Sequence, residues 1–68
     1  MNKQKILDRL VELKNESAMV ETESGCMPLI NISEGYWEIK SSFGWLEGDA
    51  EELADELSSW EEEIIRID

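Results

Sequence analysis

The side chains with chemical potential in this chain are carboxylates. Glu51, Glu52, Asp55 and Glu56, followed by Glu62 and Glu63, crowd the last third of a 68-residue sequence that holds 17 acidic and 6 basic residues and no histidine. Paired carboxylates work as general acid and base only where a cleft separates their pKa values, and solvated acids one helical turn apart have no such cleft. Other chemistries fail on residue type. Without His, and with Cys26 as the one cysteine, no zinc cluster can be assembled and a nucleophilic thiol would lack its base. Cys26 is therefore expected as a small semi-buried thiol. Gly25, Gly35, Gly44 and Gly48 are scattered rather than gathered into a phosphate-cradling loop, and the stretch from Asp49 lacks the alternating Asp/Asn and central Gly of a calcium loop. No catalytic residue, metal site or cofactor is expected, and the chain is read as something other than an enzyme.

What remains for the carboxylates is binding. The formal net charge is −11, and it is unevenly spread: residues 1–16 sum to +1, residues 17–46 to −3 and residues 47–68 to −9. Like charges at i,i+4, here Glu51 with Asp55 and Glu52 with Glu56, cost a helix about 0.2–0.5 kcal/mol per pair. A face selected only for solubility mixes signs, because an intervening Lys relieves repulsion without loss of hydration. Near-absence of mixing points to a cationic partner, and the commonest strongly basic protein surfaces are those that hold nucleic acid. Nucleic acid itself and anionic membrane leaflets would be repelled. The expected partner-binding set is Glu51, Glu52, Asp55, Glu56, Glu62 and Glu63 together with Glu38 and Tyr36, with Glu21, Glu23, Glu34 and Glu47 extending the field across a sheet. Tyr36, Trp37, Phe43 and Trp45 cluster in and after the same region. Tyr36 is the aromatic expected at the surface, and Trp60 is placed in the core.

Periodicity supplies the elements that would position these groups. Ile6, Leu10 and Leu13, flanked by Leu7 and Val11, make an apolar stripe at helical spacing over residues 3–16, with Asn2 as its cap. Residues 18–23 alternate, so Ala18, Val20 and Thr22 share one face of a strand while Glu21 and Glu23 point to water. Ser24-Gly25 reads as a turn. Met27 to Ser33 reads as a second strand, with Ile30 and Ile32 on one face and Leu29, Asn31 and Ser33 on the other; Pro28 belongs at its first residues or on an edge. Glu34-Gly35 turns the chain into a third strand, Tyr36 to Lys40, with Trp37 and Ile39 together. Residues 41–48 read as a packed loop or a short strand extension.

From Asp49 the spacing is helical again, through Leu53, Leu57, Trp60, Ile64 and Ile67. Asp49 and Glu52 make a capping-box-like start. Ser58-Ser59 could break this helix, and Glu63 to Ile67 could instead form a terminal strand; Arg66 is the one base near Glu62 and Glu63. The expected fold is thus α+β and a single domain over residues 1–68: an N-terminal helix, a three-stranded antiparallel meander and a C-terminal acidic helix.

A small secreted domain without disulfides would be unusual, so cytoplasm is the expected compartment, and no apolar run is long enough to span a membrane. The layout of opening helix, acidic meander and carboxylate-laden C-terminal segment resembles the small acidic inhibitors that phages carry, including DNA-mimicking anti-CRISPR proteins and uracil-DNA glycosylase inhibitors. The likeness spans the chain as architecture and charge, and carries over no site residue. It implies a phage-encoded stoichiometric blocker of a nucleic-acid-handling enzyme or complex. The alternatives are a homo-oligomeric regulatory or structural protein, such as a homodimer paired through the Leu29 face or the Trp45 loop, and an acidic antitoxin or immunity protein for a cationic toxin.

Overall fold

The computed structural model describes residues 1–41 and 44–68. Two helices lie on one face of a five-stranded antiparallel sheet, in the chain order α1 (Lys3–Leu13), β1 (Ala18–Thr22), β2 (Gly25–Ser33), β3 (Tyr36–Ser41), β4 (Gly44–Asp49), α2 (Ala50–Ser58) and β5 (Ile64–Ile67). The strand order across the sheet is β4-β3-β2-β1-β5, so the chain meanders from β1 to β4, recrosses the sheet through α2, and closes on the far side of β1. The protein is α+β as the sequence implies, with two more strands than the expected meander.

The helices begin where the sequence places them. Asn2 Oδ1 accepts the Lys5 amide at 2.9 Å and Asp49 Oδ1 accepts the Glu52 amide at 2.9 Å, each satisfying a first-turn N–H that would otherwise lack a partner. Helix α1 ends at Leu13, three residues earlier than its apolar pattern allowed, because Lys14 takes a φ of 57° that a helix cannot continue through. Residues 15–17 then tie the helix to the β2–β3 hairpin: Asn15 Oδ1 accepts the Gly35 amide, Glu16 O accepts the Trp37 indole N–H, and Ser17 Oγ accepts the Asn31 amide, at 2.9, 3.0 and 2.9 Å.

The expected long C-terminal helix is corrected. Helix α2 stops at Ser58, where the hydroxyls of Ser58 and Ser59 donate to the carbonyls of Asp55 and Glu56, closing the last turn on itself. The remainder becomes β5, which the β-branched run Ile64-Ile65 favours. The helical spacing of Ile64 and Ile67 has a different origin. Thr22 is opposite Ile64 while Glu21 is opposite Arg66, so Ile65 is an extra residue on β5. This bulge lets two residues three apart both face the core. Trp60, expected on the helix, sits in the connection and packs half-buried against the core.

Pro28 is likewise not at a strand start or on an edge strand: β2 begins at Gly25 and lies between β1 and β3. The described β2–β3 pairing begins at Leu29↔Ile39, one residue past Pro28, so the missing N–H falls where that ladder ends.

The core joins Ile6, Leu10 and Leu13 of α1 and Leu53, Ala54 and Leu57 of α2 to Val20, Met27, Leu29, Trp37, Ile39, Ile64 and Ile67 of the sheet. Strand β4 contributes Leu46 and the buried Gly48. Gly48 matters for space, since a Cβ there would stand 2.9 Å from Glu52 Cβ. The strand passes into α2 without an intervening residue, and only a glycine lets the first turn of the helix lie this close. Gly48→Ala is expected to push α2 from β4 and cost about 1–3 kcal/mol, read from urea denaturation midpoints.

Candidate protein-binding surface

Every expected partner-binding residue lies among the described residues, but they do not form one cluster. Glu51, Glu52, Asp55 and Glu56 are exposed on α2, on the side away from Leu53, Ala54 and Leu57. Glu62 and Glu63 precede β5, the strand at the edge opposite β4. Both are engaged with the fold. Glu62 accepts the Ser24 amide at 2.7 Å and the Ser24 hydroxyl at 2.9 Å, which pins the α2–β5 connection to the β1–β2 turn. Glu63 lies 3.4 Å from the Met1 amine, which also donates to the Ile64 carbonyl.

The neutralising cations also differ from expectation. Arg66 binds Glu21 at 3.1 Å and Asp68 at 2.9 Å, rather than Glu62 or Glu63. Lys3 of α1 lies 3.7 Å from Glu51 and 3.4 Å from Asp55, so this i,i+4 pair of acids shares one cation. Among the described residues, Glu38, Glu47, Glu52 and Glu56 make no ion pair.

Some of the unneutralised acids meet at the β4 edge. Glu38 is directly opposite Glu47, and Tyr36 directly opposite Asp49. Opposed side chains on neighbouring strands stand about 5 Å apart at Cβ, and like charges there destabilise the pair. Tyr36 lies near some of these acids. It is half-buried rather than fully exposed, and its phenol titrates above its ordinary range because of desolvation and the carboxylates of Glu47, Glu52 and Asp49. Sheet and helix acids thus converge on one aromatic group. Glu47 and Asp49 belong with Glu38, Tyr36 and Glu52, and the alternation of Trp45-Leu46-Glu47-Gly48 was the signal, had residues 44–49 been paired with Tyr36 to Ser41.

The sheet face away from the helices is open. Met19 and Ile30 are 44 % and 39 % exposed, and Ile32 and Trp45 are 47 % and 63 % exposed. The Lys40 ammonium lies 4.9 Å from the centroid of the Trp45 ring. Cys26 is exposed, not semi-buried, because it points to the same side as Pro28 and Ile30. Phe43, grouped with these aromatics in sequence, lies outside the described residues. Among the described residues no cluster of three or more acids or cysteines is placed to hold a metal ion, and no helix is long and apolar enough to cross a membrane.

These features define a small α+β protein with one covered and one open sheet face and an acidic edge. No family model matches the sequence, and neither a curated protein nor a solved structure was found to be similar to it.

Two titrations test this surface. The chain has one tyrosine, so its ultraviolet titration reads Tyr36 alone. Its midpoint is expected above the ordinary tyrosine value and should fall back partway in Glu47→Gln and Glu52→Gln. Hydrogen bonds from Ser24 hold the Glu62 carboxyl below its ordinary value. Such a group stabilises the fold when ionised, above its unfolded pKa, and loses that contribution as pH falls through its folded pKa. Glu62→Gln is therefore expected to lower the denaturation midpoint at neutral pH and to converge with the parent chain at acid pH.

Proposed function

We propose that this protein is a stoichiometric inhibitor that covers the basic groove of a nucleic-acid-handling protein, with its acidic β4 edge and the exposed face of α2 standing in for a nucleic-acid backbone. The observation that carries this reading is the gathering of Glu47, Asp49 and Glu52 around Tyr36, with Glu38 opposite Glu47 and no ion pair among the described residues to relieve them. A lysine or arginine brought by a partner removes that repulsion on binding. Glu56 extends the surface along α2 by about one helical turn. Glu51 and Asp55 adjoin it, held by a Lys3 that is itself 46 % exposed in its side chain. Surface pairs of this kind are worth about 0–1 kcal/mol, so a partner cation can replace Lys3 at small cost. Glu62 and Glu63 are assigned to holding β5 and its connection, not to the contact.

An acidic phage or mobile-element protein acting in a host cytoplasm fits this reading. An immunity protein or antitoxin would use the same surface against a cationic toxin, and differs only in what it captures. The decisive experiment is affinity capture from the native host at low and high salt with identification of the bound proteins. The parent chain is expected to retain a nucleic-acid-binding protein at low salt, to lose it as salt rises, and to release it to added DNA or RNA. Glu52→Lys/Glu56→Lys should remove capture, since each reversal sets like charge against the partner at a cost of about several kcal/mol. Undiminished capture by the double variant overturns the acidic surface as the interface.

A further inference from the structure

We infer that the open face of the sheet is the apolar half of the same interface, and that it receives a basic amphipathic segment of another protein, a lysine or arginine flanked by apolar side chains. The inference rests on the partner being cationic and adds where the greasy part of the contact lies.

Three observations select this occupant. First, the face places apolar groups on the neighbouring strands β1 and β2, where Pro28 is opposite Met19, while Ile30 is opposite the charged Glu38 of β3. Trp45 stands on the edge strand β4, one strand further across and beyond Glu38 and Lys40 of β3, more exposed than any other large apolar side chain of the described residues at 63 %. Isolated surface apolar residues are ordinary, but Met19, Pro28 and Ile30 adjoin one another on two neighbouring strands of an uncovered face, and apolar patches of this kind mark interaction sites.

Second, the charges of the face are not balanced within it. Glu21 is matched by Arg66 and Lys40 lies over the Trp45 ring, whereas Glu38 and Glu47 oppose each other without a cation. A carboxylate pair beside Ile30 is complementary to a positive charge set next to an apolar side chain.

Third, the same arrangement disfavours a second copy of this chain. It would bring another net charge of −11 and another Glu38–Glu47 pair against the first. The basic segment supplies what the face lacks, and Trp45 is suited to anchor it, since tryptophan is among the residue types enriched where binding energy is concentrated.

The test uses two synthetic peptides of equal length and charge, one an amphipathic Lys/Leu helix and the other a Lys/Ser control, titrated into the full chain and into Trp45→Ala, Ile30→Ser and Glu52→Lys/Glu56→Lys. All substituted side chains are exposed, and thermal melts confirm that each variant folds. The Lys/Leu peptide is expected to bind at least about tenfold more tightly than Lys/Ser. Its binding should shift tryptophan emission to the blue in the parent but not in Trp45→Ala, and move amide signals of Met19, Ile30 and Trp45. Ile30→Ser should weaken it while leaving the salt dependence of the remainder unchanged. Equal affinity for the two peptides, signal changes confined to α2, or self-association of the chain through this face in place of peptide binding each overturns the inference. Changes confined to α2 that vanish in the double lysine variant leave the acidic-surface reading standing; native-host capture undiminished in that variant, with Lys/Leu binding intact on the sheet, does the reverse.

Discussion

The packing of Ile6, Leu10, Leu13, Leu53 and Leu57 with Leu29, Trp37 and Ile39 in one core is the interaction on which the other features depend, because it uses nearly all the large apolar side chains that two short helices can bring to a sheet. A chain of this length buries about 60 % of its unfolded surface and cannot build a second layer. Five strands therefore present two faces of different fate, one closed by α1 and α2, the other left to solvent or to a partner. The division is visible along β2, where Met27 and Leu29 are buried and Pro28 and Ile30 are not.

The same economy decides where charge can go. Acids are confined to the rim, the outer helix faces and the open sheet face, and six basic residues are too few to balance them. Charged side chains of both signs are diverted into holding the molecule together. Glu62 on Ser24 fastens the last connection, and Arg9, bonded to the Ile67 carbonyl at 2.6 Å, ties β5 to α1. Of the acids left without an ion pair among the described residues, Glu38, Glu47, Asp49 and Glu52 meet at the β4 edge, where charged side chains also discourage another strand from adding to the sheet.

Much of this was legible in the sequence because local patterns and tertiary demands agree. The stripe of Ile6, Leu10 and Leu13, the Asn2 and Asp49 caps and the alternation of Val20 with Thr22 and of Trp37 with Ile39 all translate directly into structure. The last third was misread where two periods coincide. Leu53 and Leu57 are helical neighbours, but Ile64 and Ile67 share a face only because a bulge inserts Ile65 between them, which no single-strand pattern reveals. Glu62 and Glu63 were consequently placed on a helix face they do not share. Residues 44–49 were obscured by Gly44 and Gly48, which lower strand propensity although one is required for the helix to approach. The charge density of the site could be read directly; its direction could not, since Glu38 and Glu47 meet only through strand pairing.

The close fit at Gly48 has a bearing on how this surface would recognise anything. Strand β4 turns into α2 with no linker, and the first turn of the helix rests directly on the strand through the missing side chain. The backbone segments that carry Glu47 and Glu52 are thereby held in fixed relation. Any partner of this edge would find the backbone carrying these charges already in place, so that less conformational freedom would be surrendered in assembling them.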